Sequence, residues 1–100
     1  MIVTGVDIIE ISRIQKTVNR WGSRFLNRIY TESELWHCGQ KASRLATRFA
    51  AKEATMKALG TGVNGINWKD IEVLRGRDTP PGITLHGNAS KRARHLGIQG

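Results

Sequence analysis

Between Ala42 and Leu59 the sequence is rich in alanine and free of glycine and proline. High intrinsic propensity across that window predicts the longest helix of the domain, ended by Gly60 at the C′ position. The remaining segments then read as shorter elements packed around this helix. Residues Ile2 to Ile9 are dominated by β-branched side chains, broken once by Gly5, and predict a buried strand carrying a single acid, Asp7. Ile11, Ile14 and Val18 recur at helical spacing with Arg13, Lys16 and Arg20 between them, which predicts an amphipathic helix with a basic outer face, running to Trp21 and stopped by Gly22. A short helical piece follows over Phe25 to Ile29. Thr31 then opens a capping box with Glu34 at N3, and Tyr30 and Leu35 stand at the positions of a hydrophobic staple.

Past the long helix, T-G-V-N-G is a loop. D-I-E-V-L, Asp70 to Leu74, alternates and predicts a strand; Gly76 to Gly82, with Pro80 and Pro81, predicts a turn; Ile83 to His86 is the antiparallel partner. Asn88 or Ser90 is the expected cap of a last basic helix through Leu96, closed by Gly97. No internal repeat, low-complexity tract or linker divides the chain, and 100 residues suit a single compact domain with a small core that would gain stability from oligomerisation.

Sixteen Lys and Arg against eight Asp and Glu leave a net charge of +8, so a polyanionic partner is expected: nucleic acid, an anionic membrane, a phosphorylated cofactor or an acidic protein. The single Cys38 rules out an internal disulfide and suits a reducing cytosol as a small packing residue. Met1 to Ile11 carries Asp7 and Glu10 and has no basic leader followed by a long apolar run, so it reads as neither a signal peptide nor a membrane span, and a cytoplasmic protein is expected.

Two features point to chemistry. A carboxylate in an apolar strand, Asp7, is costly to bury without a cation, hydrogen bonds or solvent. In R-F-A-A-K-E-A-T-M-K-A-L-G, residues 48 to 60, Glu53 lies one turn from Lys57, while Arg48 and Lys52 form an adjoining row. Spacing alone favours the plain reading, a surface Glu53–Lys57 pair and a turn-capping Asp7. The sharper reading joins Asp7 and Glu53 as oxygen ligands of Mg²⁺, with Arg48, Lys52 or Lys57 meeting phosphate oxygens, because magnesium takes one or two carboxylates and completes its shell with waters and substrate phosphates.

The blocks G-V-D-I-I-E-I-S-R-I (5 to 14), F-L-N-R-I-Y-T-E-S-E-L (25 to 35), R-F-A-A-K-E-A (48 to 54), K-A-L-G-T-G (57 to 62) and W-K-D-I-E-V (68 to 73) resemble, in order, those of the holo-[acyl-carrier-protein] synthases, a family of 4'-phosphopantetheinyl transferases. The resemblance implies an α+β fold, a small antiparallel sheet packed with a long central helix, assembled as a homotrimer with active sites at subunit boundaries. It implies transfer of 4'-phosphopantetheine from coenzyme A to a serine of apo-acyl carrier protein, for fatty acid biosynthesis, with release of adenosine 3',5'-bisphosphate. Asp7 and Glu53 match the family's Mg²⁺ ligands. Arg48, Lys57, Gly60, Thr61 and Gly62 match positions around the coenzyme A phosphates and nucleotide. Arg13, Arg24 and Phe25 match positions that meet the carrier protein. Lys57 would stabilise the departing phosphate, and the base for the serine proton is either Glu53 or a water on the metal.

Family members continue past the last helix into a strand with a Ser-His motif; no Ser-His pair occurs in these residues. The expectation is therefore of an open sheet edge and of a fragment, a truncated product or a fold closed by another chain, with an inactive relative that only oligomerises or binds carrier protein as the alternative. His37, His86 and His95 lack metal-ligand spacing and read as surface or packing residues. Trp21, Trp36 and Trp68 read as core or interface anchors. A nucleic-acid module using Arg20, Arg24, Arg28, Lys91, Arg92 and Arg94 would explain the charge but leaves Asp7 and Glu53 without a role.

Overall fold

The computed structural model describes residues 8–60, 65–74 and 82–97. Its longest element is α4, Ala42–Leu59, with the bounds that composition predicts. Gly60 ends it at φ +71°, a conformation that side chains other than glycine adopt only with strain. The buried residues of α4 are Leu45, Ala46, Arg48, Lys52 and Leu59, so its inner face carries two cations among apolar side chains.

α1, Ile8–Trp21, precedes it and begins earlier than the sequence suggests. Ile8 and Ile9, expected at the end of a strand, form the first helical turn and are exposed; residues 2–7 of that expected strand lie outside the described residues. The β-branched preference for strands depends on context, and the helical spacing of Ile11, Ile14 and Val18 extends back into it. Gly22, at φ +55°, separates α1 from α2, Ser23–Ile29.

Thr31 caps α3, Glu32–Cys38, through the full capping box: Thr31 Oγ1 accepts from the Glu34 amide at 3.2 Å and Glu34 Oε1 accepts from the Thr31 amide at 2.8 Å. After α4, a 3-10 turn over Trp68–Asp70 takes Asp70, which was expected to start a strand. β1, Ile71–Leu74, then pairs antiparallel with β2, Gly82–Leu85, in the register Ile71↔Leu85 to Leu74↔Gly82. The turn expected between them lies mostly outside the described residues.

The last helix, α5, spans Gly87–His95. His86 is its N-cap, so Asn88 and Ser90 fall inside the helix rather than at its cap. Their side chains are used elsewhere: Asn88 Nδ2 donates to the Gly65 carbonyl at 2.8 Å, and Ser90 Oγ accepts from Arg94 at 3.0 Å.

Two apolar clusters hold these elements together. Ile14, Ile29, Tyr30, Cys38, Leu45 and Ala46 join α1, α2, α3 and α4, with Leu35 packed against them as the staple predicts. Leu59, Ile71, Ala89 and Ala93 join the end of α4 to β1 and α5. Trp68 stacks on Phe49 with ring centroids 5.2 Å apart, as a core anchor should. Trp36 does not: at 84% exposure on α3 it packs into neither cluster.

Candidate active site

Four charged residues of α4 were candidates for one site, and the helix divides them between two faces. Lys52 and Arg48 turn inward; Glu53 and Lys57, one turn apart, are exposed. Among the described residues Glu53 makes no ion pair, so the expected plain surface pair with Lys57 is not formed. Gly60 is exposed at the end of the same helix. Asp7, Thr61 and Gly62 lie outside the described residues.

Lys52 is fully buried and its ammonium is saturated. Its Nζ lies 2.8 Å from Glu34 Oε1, donates to the Trp68 carbonyl at 3.1 Å and donates to the Ile71 carbonyl. Three donors thus meet three acceptors, and Lys52 does not meet a phosphate, contrary to the row drawn from spacing. Glu34, equally buried, also accepts from the Val73 amide at 2.8 Å, so one carboxylate joins α3, α4 and β1. Burial pulls the Lys52 pKa below its ordinary 10.5, and the hydrogen bond and charge of Glu34 oppose that pull. Tyr30, whose ring lies 5.8 Å from Lys52 Nζ, donates to the Leu45 carbonyl at 2.8 Å, and burial raises its pKa far above the phenol range.

Arg48 is only 7% exposed and faces Cys38 rather than the surface of Glu53 and Lys57. One weak bond joins its Nη1 to the Arg44 carbonyl at 3.5 Å, and its Nε is buried without an acceptor among the described residues.

The carrier-protein candidates are arranged on the first two helices. Arg24 and Phe25 line a cleft of about 480 Å³ between α1 and α2, together with Thr17, Trp21 and Arg28. Arg13 stands apart from that cleft, exposed, with its guanidinium 2.8 Å from Glu10. Sequence reading did not assign Thr17 or Trp21 to this cleft; the spacing of residues 17, 21, 24 and 28 carries the signal, though only the break at Gly22 brings the two helices around it.

His86 pairs with Glu72 across 2.9 Å, and Glu72 also accepts from Thr31 Oγ1 at 2.5 Å. The Thr31 bond, helped by His86, holds the Glu72 carboxyl below its ordinary 4.5 although burial pushes it upward. Because the folded value lies below the unfolded one, the stability this carboxylate contributes is complete above pH 4.5 and is lost as pH falls through the lowered value. Glu72→Gln should therefore lower the urea midpoint at neutral pH and lose less of it on further acidification than the parent does. Parallel acid limbs would contradict this. Among the described residues no three His, Cys, Asp or Glu side chains cluster as a metal site.

Comparison with known proteins gives one result throughout. The family described as the 4'-phosphopantetheinyl transferase superfamily matches residues 4–99. Holo-[acyl-carrier-protein] synthase of Herpetosiphon aurantiacus is 49% identical over 106 residues, covering 99% of this chain and 84% of the relative. That of Koribacter versatilis is also 49% identical, covering 94% of this chain and 78% of the relative. Among solved structures, Helicobacter pylori holo-[acyl-carrier-protein] synthase in complex with coenzyme A aligns with a TM-score of 0.77 at 36% identity, over 95% of this chain and 81% of that one. The Neisseria meningitidis holo-[acyl-carrier-protein] synthase aligns with a TM-score of 0.78 at 34% identity, over 95% of this chain and 79% of that one.

Proposed function

This chain belongs to the 4'-phosphopantetheinyl transferase superfamily, and from that premise we propose that it is a holo-[acyl-carrier-protein] synthase. It moves the 4'-phosphopantetheine arm of coenzyme A onto a serine hydroxyl of apo-acyl carrier protein. The serine oxygen forms a bond to the β-phosphorus of coenzyme A, and the bond from that phosphorus to the bridging oxygen breaks, releasing adenosine 3',5'-bisphosphate. The observation that carries the reading is similarity to such synthases over nearly the whole of this chain, joined to an exposed Glu53 that makes no ion pair among the described residues and lies one turn from an exposed Lys57.

Glu53 fits a hard divalent cation: its carboxylate is at the surface, no cation among the described residues holds it, and oxygen ligands are what magnesium selects. Asp7 and Glu53 would hold the Mg²⁺. A divalent ion held there would supply positive charge that offsets the charge of the reacting pyrophosphate. Glu53 is also the group to which we assign the serine proton, and Lys57 stabilises the charge left on the departing phosphate. Gly60, Thr61 and Gly62 receive the nucleotide and its phosphates. Arg48 is turned inward toward Cys38, away from Glu53 and Lys57, so the geometry does not bring it to this face, and the coenzyme A role given to it rests on the family resemblance alone.

Arg24 and Phe25, with the cleft they line, and Arg13 receive the acidic carrier protein, in keeping with a net charge of +8. Apolar side chains left at the surface of a single chain, Ile8, Ile9, Trp36 and Ile83, are consistent with self-association, and the trimeric state we assign rests on the family resemblance. Among the described residues no helix is long and apolar enough to cross a membrane, and the free thiol of Cys38 suits the reducing cytoplasm in which we place the reaction.

The metal assignment is tested by following release of adenosine 3',5'-bisphosphate while a chelator is titrated in. Release should stop with chelator and return with added Mg²⁺. Turnover unaffected by complete chelation would overturn the roles given to Asp7 and Glu53.

A further inference from the structure

We propose that Arg92 is a phosphate-binding residue of the coenzyme A site, an inference that rests on the transferase reading above. On α5, Ala89 and Ala93 are buried against Leu59 and Ile71, and their small side chains allow α5 to lie close to the end of α4. Arg92, half-buried beside them, donates from Nε to the Leu59 carbonyl at 3.0 Å. That carbonyl is one of the last of α4, where the helix leaves acceptors unmatched.

This bond uses one of five N–H groups. Nothing among the described residues accepts from the other four, and no carboxylate pairs with the guanidinium. The unspent fork lies beside Gly60: a Cβ built on that residue would stand 3.9 Å from Arg92 Nη2. Gly60 opens the Gly60-Thr61-Gly62 segment assigned to the nucleotide, and Lys57 lies one turn before it. Capping a helix carbonyl needs a single donor, which lysine or glutamine would supply. A planar guanidinium with both Nη groups left over matches instead the paired oxygens of a phosphate.

Coenzyme A offers two such groups, its pyrophosphate and its 3'-phosphate, and one variant separates structural from binding roles. In Arg92→Gln the side-chain amide nitrogen is as many bonds from the backbone as Nε in arginine, so the donor to Leu59 remains and the fork is removed. The variant and parent are compared by KM for coenzyme A, 3'-dephospho-coenzyme A and carrier protein, and by the calorimetric Kd for adenosine 3',5'-bisphosphate. The expected result is a rise of about tenfold in KM for coenzyme A, the scale of a lost charge-assisted bond, with KM for the carrier protein within twofold of the parent.

If the rise disappears with 3'-dephospho-coenzyme A and the Kd weakens in step, Arg92 holds the 3'-phosphate. If it persists, Arg92 holds the pyrophosphate. A parent that transfers normally, beside a variant that matches it in KM for coenzyme A and in Kd, overturns the Arg92 assignment alone. A parent that neither transfers nor binds the nucleotide overturns the transferase reading and this inference with it.

Discussion

Glu34→Ala should cost about 3–5 kcal/mol of folding stability, the range for removing one partner of a buried ion pair. The substitution strands three groups at once. Lys52, fully buried, loses its counter-ion and one of its three acceptors. The amides of Val73 and Thr31 lose the oxygens that receive them at 2.8 Å. A domain of this size has a total stability of about 5–15 kcal/mol, so a loss on this scale removes much of it. Urea denaturation followed by circular dichroism reads the change directly.

Lys52→Met isolates the pair, because methionine fills similar space without a charge. In the double variant Glu34→Gln with Lys52→Met, neither member of the pair is left charged, and the combined loss should fall short of the summed losses of Glu34→Gln alone and Lys52→Met alone by at least about 1 kcal/mol, as expected for groups in contact. Strict additivity, or a loss below about 1 kcal/mol for Glu34→Ala, would show that Lys52 finds another partner when Glu34 is gone.

Glu53→Ala acts in the opposite way: it should abolish transfer and leave the fold intact. Glu53 is exposed and makes no ion pair among the described residues, and changes at such positions usually alter stability by no more than about 0.5 kcal/mol. The same carboxylate is assigned to the metal and to the serine proton. Charge stabilisation by a bound cation is worth several kcal/mol in the transition state, and each 1.4 kcal/mol is about tenfold in rate, so a fall of about a thousandfold or more is expected. Asp7→Ala should behave alike. Unchanged turnover in either variant, with melting curves that overlay the parent's, would sink the assignment of those two ligands.

The adjacent residues Lys52 and Glu53 show what local pattern can and cannot convey. The length of α4, its stop at Gly60 and the Thr31–Glu34 capping box are local matters, settled by propensity and by contacts three or four residues apart, and all three were legible. The fate of Lys52 was not. Its partner Glu34 stands on another helix and its carbonyl acceptors come from Trp68 and Ile71, so nothing within a helical turn announces that this lysine points inward.

A clue was available in the spacing of Leu45, Arg48, Lys52 and Leu59, which share the buried face of α4. Reading charge before periodicity placed Arg48 and Lys52 with Glu53. The same habit, in the form of β propensity, turned Ile8 and Ile9 into strand when the helical period of α1 already reached them. Of the candidate site, the Glu53–Lys57 face and the Arg24–Phe25 cleft lie on the described surface, while Asp7, Thr61 and Gly62 fall outside the described residues. The sequence places Arg92 in a basic helix and among the cations of the nucleic-acid alternative, with no link to the end of α4. Its reach to Leu59 spans 33 positions, a separation at which sequence pattern gives no guidance.

The intact mass of apo-acyl carrier protein after incubation with this protein, coenzyme A and Mg²⁺ decides whether the chain is such a synthase. A gain of one phosphopantetheine on a single serine, absent when chelator is present, is expected; a carrier protein of unaltered mass, beside an enzyme sample shown to be folded, would overturn the assignment.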